Sequence, residues 1–174
     1  MGIHAILVIN NHGQPRLVRY YNNNMDLSTN QPYTTNKRQS IINEIYQLIS
    51  KRNDNICNFL ENTQSFPPHI KLIYRHYATL YFIFVVDQCE SELGILDLIQ
   101  VYVECLDKCF ENVCELDLIF HVDKCYGILD EIIQSGAVVE TSLKEIIKSY
   151  HSQIKYSRDT ELIQHNVKQI GRNK

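Results

Sequence analysis

Residues 3–21, IHAILVINNHGQPRLVRYY, hold two apolar runs on either side of a turn, and they set the class of fold. Ile3 to Ile9 is almost continuously apolar and Arg16 to Tyr21 is a shorter strand-like run, while Asn11, His12, Gly13 and Pro15 between them carry turn chemistry. A connection this short permits only antiparallel pairing, because a parallel partner needs a crossover of a dozen residues or more. The chain therefore opens with a β-hairpin.

Further along, residues 22–36 are rich in Asn and Thr, contain Pro32 and have no apolar period, so they read as an exposed insertion loop. From Lys37 to Arg52 the positions Ile41, Ile42, Ile45, Leu48 and Ile49 recur at helical spacing, and Arg38, Glu44, Gln47 and Lys51 face away. That is a one-sided amphipathic helix suited to covering one face of a sheet. Cys57 to Glu61 is a short strand, Pro67-Pro68 breaks the chain, and Ile70 to Arg75 and Leu80 to Val86 are two further β-rich runs separated by residues 76–79. The order is ββαβββ. After Glu90 the pattern is helical, over Glu92 to Phe110 and Glu115 to Gln134, with a stop at Ser135-Gly136 and a weaker helix from Ser142 to about Ile154. Residues 155–174 have sparse apolar content and are expected to be poorly ordered or bound to a partner. These elements predict an α+β domain over residues 1–154, a five-stranded antiparallel sheet flanked by helices with additional C-terminal helices.

The helix over Glu92 to Phe110 carries two apolar stripes. Leu96, Ile99, Val103, Leu106 and Phe110 form one, and Ile95, Leu98, Tyr102, Cys105 and Cys109 form the other. A surface helix needs an apolar arc of only about 100°. Two stripes predict burial on two sides, with a core on one and a partner or groove on the other; a central helix covered by its own chain is the alternative. The second stripe and the sheet edge are the expected docking surface.

The 174 residues suit one domain. With Lys and Arg at 17, Asp and Glu at 20 and a net charge of -3, the chain lacks the broad positive field of a nucleic-acid binder. Its longest apolar run, Ala78 to Val86, falls short of the roughly 20 residues that span a bilayer, and no leader precedes the first strand, so a cytosolic location is expected. Gly2 runs into an apolar strand with Ile6 where a myristoylation signal wants Ser or Thr. The six cysteines fall mostly within helical apolar patterns, form no CxxC pair and read as buried packing residues.

Little in the chain points to catalysis. The six glycines are too scattered for a phosphate-cradling loop. Cys105, Cys109, Cys114, His121 and Cys125 match no known zinc cage, which wants four converging ligands. His76, between Arg75 and Tyr77, has no acid or nucleophile at a recognisable spacing. Glu115 and Asp117 occupy a first helical turn, where carboxylates cap and complement the helix dipole. No enzymatic activity, cofactor or metal is expected.

With the elements placed, NVCELDLIF at 112–120, IYRHYATLYF at 73–82 and GAVVETS at 136–142 resemble the small (sigma) subunits of clathrin-adaptor-type complexes. INNHGQPRLVRYY, RNDNICNFLE and SELGILDLIQ look most like the branch belonging to the third adaptor complex. The resemblance runs from Ile3 to about Tyr150 and implies a longin-like fold. It also implies a heterotetramer in which this chain contacts a large subunit of delta type, beside medium mu and large beta subunits, on the cytosolic face of Golgi, endosomal and vesicle membranes. A permanent interface of that kind buries more than about 2,000 Å², so the chain alone should be poorly soluble. The family binds acidic dileucine sorting signals of cargo tails. By resemblance the walls of the groove here are Ala78 and Leu80 from the strand, Val103 from the following helix, and Asn112, Val113, Leu116 and Leu118, with Arg16 near the signal's acidic residue. A guanidinium fork suits a carboxylate. A longin-type trafficking regulator outside a coat and a small metalloenzyme are the competing classes; the chain shows neither heptads nor a terminal anchoring Cys for the former.

Overall fold

The computed structural model describes the backbone of residues 2–21, 35–52, 58–61 and 66–172. In chain order the elements are β1 (Ile3–Asn10), β2 (Pro15–Tyr20), α1 (Thr35–Ser50), β3 (Phe59–Glu61), β4 (Ile70–Tyr77), β5 (Leu80–Asp87), α2 (Glu92–Phe110), α3 (Glu115–Phe120), α4 (Val122–Ile132), β6 (Ile133–Gln134), β7 (Ala137–Val138) and α5 (Leu143–Arg172). The first five strands make one sheet in the order β2-β1-β5-β4-β3, antiparallel throughout, as the ββαβββ reading and the longin-like expectation required.

Side chains alternate between sheet faces with a period of two, and both faces are apolar. Ala5, Leu7, Ile9, Ile83 and Val85 point to the side covered by Ile41, Ile42, Ile45 and Ile49 of α1. Ile6, Val8, Phe82, Phe84 and Val86 point to the opposite side, beneath α2, α4 and α5. This is why β1 and β5 read as unbroken apolar runs: each is buried on both faces.

Polar clamps fix α2 along β4. Near its start the buried Lys71 ammonium donates to Glu92 Oε1 at 3.0 Å. In its middle Gln100 Oε1 accepts from Arg75 Nη1 at 2.7 Å and from the Tyr77 hydroxyl at 2.6 Å. On the inner face, Tyr102 meets Phe82 edge-on and its hydroxyl donates to the Cys125 carbonyl at 3.1 Å, joining α2 to α4. The exposed edge of β2 is closed by Tyr126, whose hydroxyl accepts from Val18 N–H and donates to Val18 C=O. Pairing an edge strand in this way removes a template for aggregation.

Several boundaries differ from expectation. The helix expected over Glu115 to Gln134 is broken at His121 into α3 and α4 and ends in the β6–β7 hairpin, because Ser135 and Gly136 both adopt positive φ, at 51° and 83°. Two such residues form the tight turn that hairpin twist favours. α5 runs to Arg172, well past Ile154. β4 extends through Tyr77, leaving only Ala78 and Thr79 as the turn to β5. Of the expected loop, residues 22–34 lie outside the described residues, as does the start of the 57–61 strand. On α2 the burial does not follow the two stripes: Ile95, Leu98, Tyr102 and Cys105 of the second stripe, expected to dock a partner, and Ile99 and Leu106 of the first are all core, while Leu96, Val103 and Phe110 of the first and Cys109 of the second are only partly buried. Two cysteines also depart from the buried expectation. Cys89 lies in the turn after β5 and Cys114 at the start of α3, off any inward face, and both are exposed. Cys105 and Cys125 are buried, which pushes each thiol up to about 12 and leaves it protonated at neutral pH.

Gly136 ties the small hairpin to the sheet, its carbonyl accepting from Ile3 N–H at 2.8 Å. A Cβ at this position would stand 2.4 Å from the Ile3 carbonyl oxygen, on a backbone at φ 83°. Gly136→Ala is expected to destabilise the fold by more than about 1 kcal/mol, read as a lowered unfolding midpoint; an unchanged midpoint would contradict this packing.

Candidate functional site

The sequence brings three turns together at one end of the sheet. The β1–β2 turn is organised by Asn10, which is 2 % exposed and fully used. Its Oδ1 accepts from the backbone N–H groups of His12 and Gln14, and its Nδ2 donates to Gln14 Oε1 and Glu115 Oε1. Asn11 N–H donates to the Thr79 carbonyl at 2.9 Å, joining this turn to the β4–β5 turn. The third segment is the α2–α3 connection, where Asn112 and Val113 N–H groups both bond to Asp107 and close the end of α2.

Glu115, the first residue of α3, is the junction. Its Oε1 accepts from Arg16 Nε at 2.8 Å and Asn10 Nδ2 at 2.9 Å, and its Oε2 accepts from Thr79 Oγ1 at 3.3 Å. Arg16 Nη2 donates to Gln14 Oε1 at 2.9 Å. The hydrogen bond from Asn10, then that from Arg16, holds the Glu115 carboxyl below the usual carboxylate range. The sequence suggested capping for both Glu115 and Asp117. Only Asp117 does so, accepting the Cys114 N–H at 2.9 Å, a bond that lowers its own pKa. Glu115 turns instead to the sheet, because α3 packs beside β2 and the nearest cation is across the chain. Nothing in residues 112–120 signals that long-range partner.

The residues singled out from the sequence fall on this end of the molecule with unequal access. Ala78 is in the turn and not in a strand, exposed and at φ 51°. Leu80 begins β5 and is 8 % exposed. Val103 lies one helical turn beyond Gln100, the residue clamped to Tyr77, and is half-buried, as is Val113. Asn112 is exposed at φ 78°, and Leu116 is 59 % exposed. Leu118 is 1 % exposed and belongs to the core, so it supports a surface from below and cannot touch a ligand. Among the described residues, Ala78, Glu111 and Asn112 are three of the four non-glycine residues with positive φ. Such conformations cost of order 1–3 kcal/mol and gather at functional surfaces. Beside them Ile119 and Phe120 of α3 add exposed apolar area.

The side chains on offer are apolar ones at Leu80, Val103, Val113 and Leu116, an exposed amide at Asn112, and the Arg16–Glu115 ion pair at the start of α3. Among the described residues no cluster of His, Cys, Asp or Glu is placed to hold a metal ion, and no helix is long and apolar enough to cross a membrane.

The sequence profile named "Clathrin adaptor complex small chain" matches residues 2–156. The human AP-3 complex subunit sigma-2 is 57 % identical over 152 residues, covering 87 % of this chain and 74 % of that protein. The AP-3 complex subunit sigma of Dictyostelium discoideum is 53 % identical over 159 residues, covering 90 % and 88 %. In three dimensions the chain superposes on one chain of a homology model of the full-length AP-3 complex in a stretched open conformation, with TM-score 0.68 and 41 % identity, covering 91 % of this chain and 97 % of that one.

Since the folded form keeps Glu115 ionised to lower pH than the unfolded form does, the cluster contributes stability above the ordinary carboxylate range. That contribution is lost as pH falls through the lowered value. Carboxyl NMR should therefore find Glu115 titrating below ordinary glutamates, and Asn10→Ala should move its midpoint up; an ordinary midpoint in the unaltered chain would contradict the geometry.

Proposed function

The chain belongs to the clathrin adaptor complex small chains, and from that membership we propose that it serves as the sigma subunit of a heterotetrameric vesicle-coat adaptor of the third type and helps that complex bind acidic dileucine signals. It is an adaptor subunit and not an enzyme. It packs against a large subunit of delta type, alongside mu and beta subunits, and reaches Golgi, endosomal and vesicle membranes from the cytosolic side through that assembly.

The observation that supports the signal-binding reading is that Arg16 is bound to Glu115 at the start of α3, the same helix that exposes Leu116, while Val103 and Val113 are half-buried and Leu80 and Leu118 are core. Ala78 leaves room beside the turn, and Asn112 can bond an extended peptide backbone. A paired-leucine signal matches this chemistry: two branched apolar side chains and an acid a few residues away. Burying each leucine contributes about 1.5–3 kcal/mol. Ordering a flexible tail and losing its overall freedom offset much of that, so one signal binds weakly. Stable recruitment then depends on several contacts made together on one membrane.

Two variants of the assembled complex test the site. Val103→Asp places a charge among these apolar residues and is expected to abolish capture of a paired-leucine peptide while the four chains still co-purify. Arg16→Ser is expected to weaken peptides that carry the acid, by roughly two- to fivefold as for exposed ion pairs, and to leave Glu115 without its counter-charge. Full capture by both variants, measured by fluorescence anisotropy, would remove the assignment.

A further inference from the structure

Arg16 meets a carboxylate before any ligand arrives. Its guanidinium and the Glu115 carboxylate are 2.8 Å apart at side-chain exposures of 21 % and 25 %, so the pair is open to solvent. The Glu115 carboxylate is itself held from two other directions, by the buried Asn10 and by Thr79, each on a different strand or turn. Three anchors make its position a property of the fold and not of one flexible side chain. The charges of the pair cancel, and an incoming acid meets a near-neutral surface with a negative group already on the Nε side. Arg16 keeps Nη1 unused by any described residue.

We propose that Glu115 is a specificity-determining residue, a built-in competitor for Arg16 that limits how strongly the site prefers an acidic over a neutral residue ahead of the paired leucines. This rests on the reading of the candidate site as a dileucine site. A signal's carboxylate can use the remaining guanidinium N–H groups, but it is repelled by Glu115 at the same time. An uncharged Gln in the signal loses the attraction and escapes the repulsion. The apolar residues supply the affinity, and the ion pair narrows the difference between signal variants. The interaction lies at the rim, is screened by salt and changes encounter and selectivity more than the seating of the leucines.

The test uses the assembled four-chain complex and three peptides alike except at the named positions: Glu with Leu-Leu, Gln with Leu-Leu, and Glu with Ala-Ala. In the unaltered complex the preference for Glu over Gln should be about threefold or less at physiological salt, and a preference of about tenfold or more overturns the proposal with no variant needed. Glu115→Gln keeps the shape of the side chain and should raise that preference by about two- to fivefold, most at low ionic strength. An unchanged preference overturns the proposal, and a reduced one overturns it in favour of Glu115 as a residue that merely orients Arg16. Failure of both complexes to tell Leu-Leu from Ala-Ala rejects the groove itself, and the proposal with it.

Discussion

A sheet that is apolar on both faces must be covered twice, and the rest of the molecule follows from that constraint. β1 and β5 form the centre of the sheet and carry Ile6, Val8, Phe82 and Phe84 to one side and Leu7, Ile9, Ile83 and Val85 to the other. Fully burying such side chains contributes about 1.5–3 kcal/mol each, so leaving either face bare would forfeit most of the driving force for folding. α1 covers one side. α2, α4 and α5 cover the other, and the helices are where they are because the sheet leaves them one place to be.

The ends of the strands, in contrast, are held by polar contacts. Asn10, Arg16, Glu115 and Thr79 join two turns of the sheet to the start of α3, and Arg75, Tyr77 and Gln100 fix α2 at the neighbouring strand end. Positive φ at Ala78 and Asn112 adds strain on that side of the molecule, which fits a surface shaped for a partner better than one shaped for stability alone.

The strands and their order along the chain were legible because period and punctuation agree, whereas the neighbour order β2-β1-β5-β4-β3 was not read from the sequence. The apolar runs are bounded by Gly13-Gln14-Pro15 and by Pro67-Pro68, and the one-sided isoleucine pattern of α1 has a single possible partner. α2 begins and ends where its pattern does. Its two stripes were visible, but their roles were not: the core takes Ile99 and Leu106 from one and Leu98 and Tyr102 from the other, and how the helix is turned depends on contacts distant in sequence such as the Lys71 and Gln100 clamps. The break at His121 was invisible for a similar reason, since α3 and α4 are each helical in pattern and only Ser135-Gly136 carries turn chemistry. Of the candidate site, the apolar members were suggested by family resemblance alone, and burial separates Leu118, which is core, from Leu116, which is open. Glu115 was misread because local rules assign a first-turn carboxylate to its own helix. Its partner stands 99 residues earlier in the chain.

The position of the bound leucines can be measured directly by photocrosslinking. A peptide bearing photoactivatable leucine at each of the paired positions, irradiated with the assembled complex and mapped by mass spectrometry, should label Val103, Val113 and Leu116 of this chain, and excess unmodified peptide should suppress the labelling. Adducts confined to the other subunits, or to the α1 side of this chain's sheet, would contradict a leucine groove at this end of the fold.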